Sequence, residues 1–130
     1  MTQFADIFAN RPVLADGAMG TVLYARGIFI NRCYDDLNLS DPGLILSIHE
    51  EYLQSGAEIL ETNTFGANRF RLARHGLAGK VAEINTAGVR LARQAQRVAA
   101  IVGVVNYRKH LGALARCENV GLVARDEDAR

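Results

Sequence analysis

A helix bracketed by two short apolar runs constrains this chain more than any other feature. Ser40-Asp41-Pro42 places a capping side chain before a proline, whose missing N–H costs nothing at the first helical position. Leu44, Ile45, Ile48 and Tyr52 then recur at three- and four-residue spacing with Glu50 and Glu51 on the other face, and Gly56 fits the left-handed residue that closes a helix. The spacing predicts a helix over 42–55. Val13-Leu14-Ala15 reads as a buried strand before it, ending in the turn Asp16-Gly17-Ala18-Met19-Gly20-Thr21. Ala57-Glu58-Ile59-Leu60-Glu61 reads as a second strand after it, ending in the polar loop Thr62-Asn63-Thr64-Phe65-Gly66. Two strands joined by so long a crossover are expected to run parallel.

The alternation continues. Residues 67–75 and 81–98 carry helical periodicity, with Gly76 and Gly79 at the joint, and the apolar run 99–105 is expected to be a third parallel strand, buried on both faces. The class is therefore α/β, in which ligands bind at the carboxyl ends of strands. With 130 residues a closed (β/α)8 barrel, which needs about 250, is out of reach. Strand order is not readable from one sequence, so an open doubly wound sheet and a piece of a barrel stand level on pattern alone.

Composition excludes several functions. The chain is 49% hydrophobic with a net charge of +1, no apolar stretch reaches the roughly 20 residues of a bilayer crossing, and the amino terminus lacks a signal-peptide pattern, so a cytoplasmic protein without a membrane partner is expected. Asn38-Leu39-Ser40 fits a glycosylation acceptor, a chemistry that a cytoplasmic chain does not meet. Cys33 and Cys117 stand far apart without a histidine cluster, which suggests neither a disulfide framework nor a self-contained zinc site. Residues 1–65 hold nine acids against three bases, and residues 66–130 five against twelve. Arg90, Arg93 and Arg97 recur at helical spacing without interleaved aromatics, so this asymmetry reads as a solvated helix face and not as a nucleic-acid surface.

The two strand-end loops carry the chemistry. Asp16 and Glu61 stand at the ends of adjacent strands, where an amino group could meet both carboxylates, and the amides of Gly17, Ala18 and Met19 could receive a carboxylate. Together they would hold an amino acid by its zwitterionic end. The competing reading is that Asp16 caps the next helix and Glu61 pairs with an arginine. Gly17 to Gly20 lacks the spacing of a dinucleotide fingerprint or a P-loop. His49, among Glu50 and Glu51, reads as structural or solvated, and His75 as a partner of a helix carboxyl end.

The segments Leu14-Ala15-Asp16-Gly17-Ala18-Met19-Gly20-Thr21, Cys33-Tyr34-Asp35-Asp36-Leu37-Asn38-Leu39-Ser40 and the run 55–69 containing Glu61-Thr62-Asn63-Thr64-Phe65-Gly66 resemble the amino-terminal part of homocysteine S-methyltransferase domains. The resemblance covers residues 10–98 in order. It is similar to the domain that begins cobalamin-dependent methionine synthases and bifunctional homocysteine S-methyltransferase/methylenetetrahydrofolate reductases. It implies the first three units of a (β/α)8 TIM barrel over residues 1–105, homocysteine as substrate, and methyl transfer to its thiol to form methionine. Substrate binding then falls to Asp16, Gly17, Ala18, Met19, Glu61, Thr62, Asn63, Thr64 and Phe65. Family members hold zinc through three cysteine thiolates, which turns the thiol into a thiolate nucleophile. Cys33 does not occupy a ligand position, and the segments that supply the metal have no counterpart here. No catalytic or metal-binding residue is assigned, residues 106–130 form a tail that does not align, and the methyl donor, whether methylcobalamin, methyltetrahydrofolate or an S-methyl compound, is open. The chain is expected to be truncated and inactive alone, and to self-associate or be complemented by the missing barrel half. The alternative is a noncatalytic amino-acid-binding or remnant domain that associates through an open sheet edge.

Overall fold

The computed structural model describes residues 12–101 and 122–124. The first element is helix α1 (Met19–Ala25), followed by the short α2 (Leu37–Ser40) and then by α3 (Pro42–Gln54). Asp41 accepts the Leu44 N–H at 3.2 Å and Pro42 opens α3, as the local sequence requires. At the other end Gly56 takes a φ of 101°, which lets its N–H reach the Leu53 carbonyl and the Ala57 N–H the Tyr52 carbonyl. The chain leaves that turn directly into strand β1 (Ile59–Glu61).

Residues 14–16 run alongside β1 in the parallel sense. Ala15 bridges Ile59, the Leu14 carbonyl accepts the Glu58 N–H at 2.7 Å, and the Asp16 N–H donates to the Ile59 carbonyl at 3.0 Å. This pairing has the expected direction, although the first strand shrinks to a single bridge. It is also not buried as expected: Leu14 is 55% exposed, because β1 is its one strand neighbour among the described residues.

Beyond β1 come helix α4 (Arg69–Ala73), a turn of 3₁₀ helix (Ala78–Lys80) and the long helix α5 (Val81–Ile101). The third parallel strand expected over 99–105 is corrected here. Residues 99–101 are the last turn of α5, and 102–105 lie outside the described residues. The physical reason is that Ala92, Ala95, Ala99 and Ala100 favour helix, and nothing breaks the pattern before Gly103. The second neighbour of β1 is instead strand β2 (Leu122–Ala124), antiparallel, with Leu60 opposite Val123. Both edges of β1 are therefore paired, and among the described residues no barrel is formed.

The helices bury one face each. Ile45 and Ile48 of α3 pack with Leu23, Leu37 and Leu91, and Leu53 packs with Ala57, Leu60, Ala92 and Ala95. Small side chains at 92 and 95 let α5 approach both α3 and β1. A third cluster of Ala67, Leu72 and Ile84 seats α4. No helix among the described residues is long and apolar enough to cross a membrane.

His49 sits inside this packing fully buried, and neither of its ring nitrogens has a hydrogen-bond partner among the described residues. Burial alone pulls its pKa from 6.5 down to about 4. As pH falls the unfolded chain takes up this proton first, so the contribution is intact above about pH 6.5 and is lost on the way to pH 4, by up to about 3 kcal/mol. Urea unfolding at pH 7.5 and pH 5 is expected to give a lower midpoint at pH 5, with the difference reduced in His49→Leu. An equal acid sensitivity in that variant would assign the effect to other groups.

Candidate functional site

A cleft of about 510 Å³ opens at the carboxyl ends of the paired segments, with Asp16 to Gly20 on one wall and Glu61, Thr62, Asn63, Phe65 and Gly66 on another. The rest of its lining comes from Ile30 and from Arg32 to Asp35, together with Arg71 and His75. The residues singled out in the two strand-end loops thus face a common space. Thr64 is the exception: it lies outside the lining, with its hydroxyl 2.7 Å from that of Thr62 and its methyl against Gly88 of α5.

The register of the parallel pairing places Asp16 beside Glu61. Both carboxylate oxygens of Asp16 accept the Glu61 backbone N–H, at 3.0 and 3.1 Å. Asp16 does not cap α1, whose N-cap is Ala18 without a side-chain bond, and no ion pair to Glu61 occurs among the described residues. Burial raises the pKa of Asp16 from 3.8 to about 6, the Glu61 N–H pulls it down, and the negative charge of Glu61 adds to the rise. Two carboxyl groups whose mutual charge is costly are an environment that a cation relieves. The turn Gly17-Ala18-Met19 lies next to them, fixed from below by Tyr52, whose hydroxyl donates to the Ala18 carbonyl at 3.3 Å.

The loop after β1 is held by buried amides. Asn38 of α2 donates to the carbonyls of Asn63, at 2.7 Å, and Ile84, at 3.2 Å; Asn63 donates to the Tyr34 carbonyl and to the Asn38 side-chain oxygen. Asn38 is 1% exposed, which also removes its side chain from the reach of glycosylation. Gly66 is required by close approach, because a Cβ there would collide with the Asp35 carboxylate. One oxygen of Asp35 instead accepts the Gly66 N–H at 2.8 Å. Burial raises the Asp35 pKa, against the pull of that N–H and of the nearby Arg71 and His75.

Sequence reasoning assigned no role in the cleft to Arg32, Asp35, Arg71 or His75. Asp35 lies in a segment that carried the family resemblance, but its partner Gly66 stands 31 residues away and nothing local announces it. His75 lies just past the carboxyl end of α4, where its backbone N–H donates to the Leu72 carbonyl, and it also lines the cleft.

Comparison with known proteins decides the family. A family model described as homocysteine S-methyltransferase matches residues 13–121, a range that extends past residue 105 into the tail. The chain belongs to the homocysteine S-methyltransferase family. It is 32% identical over 99 residues to the methionine synthase of Mycobacterium tuberculosis (strain ATCC 25618 / H37Rv), and equally to that of Mycobacterium leprae (strain TN). Each match covers 72% of this chain, which spans only 8% of the length of either relative.

The geometry at Asp16 is open to direct measurement. In a 13C-labelled chain the Asp16 carboxyl is expected to titrate near pH 6, and Glu61→Gln to lower that midpoint by removing the adjacent charge. A midpoint below 4.5 in the unaltered chain would mean that the carboxyl is solvated and the cleft wall misassigned.

Proposed function

We propose that this chain carries the homocysteine-recognising part of a homocysteine S-methyltransferase, with Asp16 and Glu61 receiving the substrate's ammonium group. The observation that carries the reading is the meeting of these two carboxylates on one rim of the cleft, with the Asp16 pKa raised. Homocysteine is a zwitterion with a thiol two methylenes away. Its ammonium group forms charge-assisted bonds to the two acids, and its carboxylate meets the amides of the glycine-containing turn at Gly17, Ala18 and Met19. Thr62, Asn63 and Phe65 border the side chain, and Thr64 supports the loop from behind.

The barrel belongs to the same proposal: the parallel bridge of Ala15 to Ile59, followed by α4 and α5, supports it, whereas the antiparallel β2 on the other edge of β1 is not part of such an order. In methyl transfer the sulfur forms a bond to the methyl carbon, the donor loses that carbon, and the thiol proton leaves. Zinc coordinated by thiolates supplies the thiolate in the family. Among the described residues no three His, Cys, Asp or Glu side chains stand close enough to hold a metal ion, and Cys33 is the one thiol. These residues do not fit a three-thiolate site. The share of the reaction assigned to this chain is binding and orientation.

Calorimetric titration of the 130-residue chain with L-homocysteine is expected to give saturable binding at pH 7.5. Asp16→Asn and Glu61→Gln each weaken it by about tenfold, the worth of one charge-assisted contact. Affinity falls below pH 6 as Asp16 takes up its proton. The same chain, given homocysteine and a methyl donor, is expected to form no methionine. A chain that folds, as judged by its circular dichroism, and yet fails to bind homocysteine would overturn the reading.

A further inference from the structure

The cleft lining carries basic as well as acidic side chains. Beside Asp16 and Glu61 it includes Arg71 of α4, His75 in the turn after that helix, and Arg32. The Phe65 ring, itself 93% exposed, takes one face of the Arg71 guanidinium at 5.5 Å from its centroid. That contact orients the guanidinium and leaves its N–H edge open to a partner. The neighbouring acid does not serve as that partner: Asp35 gives one oxygen to the Gly66 N–H, and among the described residues none of Arg32, Arg71 and His75 forms an ion pair. A space of about 510 Å³ also exceeds what one small amino acid fills, since sites of about 300 to 1,000 Å³ take drug-sized molecules.

We infer that the Arg71 and His75 side chains in the cleft form an anion subsite, which takes the carboxylate or phosphate of a second molecule bound beside the first. That this molecule is the methyl donor to homocysteine rests on the function proposed above. The guanidinium edge and the imidazole give a carboxylate or phosphate two donors, one from α4 and one from the turn after it, and the Arg32 guanidinium adds a further donor.

The probes are sodium acetate and inorganic phosphate, titrated at constant ionic strength into the 15N-labelled chain, with sodium chloride as the control for screening. Saturable shifts of the Arg71 side-chain N–H and the His75 ring are expected with both anions and not with chloride. Arg71→Gln weakens the response by about tenfold and His75→Gln by a smaller factor, while Arg71→Lys retains part of it. Stronger binding of phosphate identifies a phosphate-bearing donor, and stronger binding of acetate a carboxylate-bearing one. Shifts that appear first at the Gly17, Ala18 and Met19 amides, or that survive Arg71→Gln unchanged, would overturn the inference. Homocysteine binding is followed separately through Asp16→Asn, so failure at Asp16 sinks the proposed function and failure at Arg71 sinks the anion subsite.

Discussion

The cleft depends on a pair of buried asparagines. Asn38 and Asn63 are 1% and 7% exposed and bond to one another through side chain and backbone, and between them they engage backbone carbonyls at two further points, Tyr34 and Ile84. A buried amide left without partners costs about 1–3 kcal/mol, so each of these bonds excludes arrangements in which α2, the loop after β1 and α5 shift against one another. The loop needs such an anchor, because Phe65 and the Glu61 that precedes the loop are exposed and contribute little burial of their own. Phe65 projects into solvent from the same loop whose Asn63 is locked inside.

From that anchor the charges of the cleft follow. Glu61 ends β1 just before the locked loop, and its backbone N–H is held by the Asp16 carboxylate, so the two residues stay neighbours and the Glu61 charge acts on Asp16. Asp35 is fixed in a similar way to the Gly66 amide. Backbone amides position both acids, and burial raises both pKa values against the pull of those amides. Basic side chains join these acids in the lining, where α4 brings Arg71 and the turn after it brings His75.

How much of this could be read beforehand follows the range of the interactions. The α3 helix was legible in full, since its cap at Asp41, its proline and its closing Gly56 are all local. The parallel direction of residues 14–16 and β1 was legible too, because crossover length fixes it. At residues 99–101 the strand expectation was misread since an apolar, alanine-rich run is compatible with either state, and there α5 continues instead. The Asn38 network was not legible at all: its partners stand 25 and 46 residues away. In the cleft, Asp16 and Glu61 were visible as strand-end acids, whereas Asp35, Arg71 and His75 were not, since their meeting depends on where α2 and α4 pack.

Pairing register explains how so little sheet can build a site of this kind. Side chains alternate between the two faces of a strand, so a slip of one residue between residues 14–16 and β1 would turn Glu61 away from Asp16. The slip is opposed by three backbone bonds, from Glu58 and Ile59 to Leu14 and from Asp16 to Ile59, and by burial of Ile59 and Leu60 on their present sides. The bond from the Glu61 N–H to the Asp16 carboxylate adds a fourth constraint that exists only in this register. The contact that raises the charge density of the cleft therefore also fixes the pairing that creates it. Replacing Asp16 would weaken cation binding and loosen the register at once, whereas a change at the exposed Glu61 side chain touches the charge and leaves the backbone bond in place.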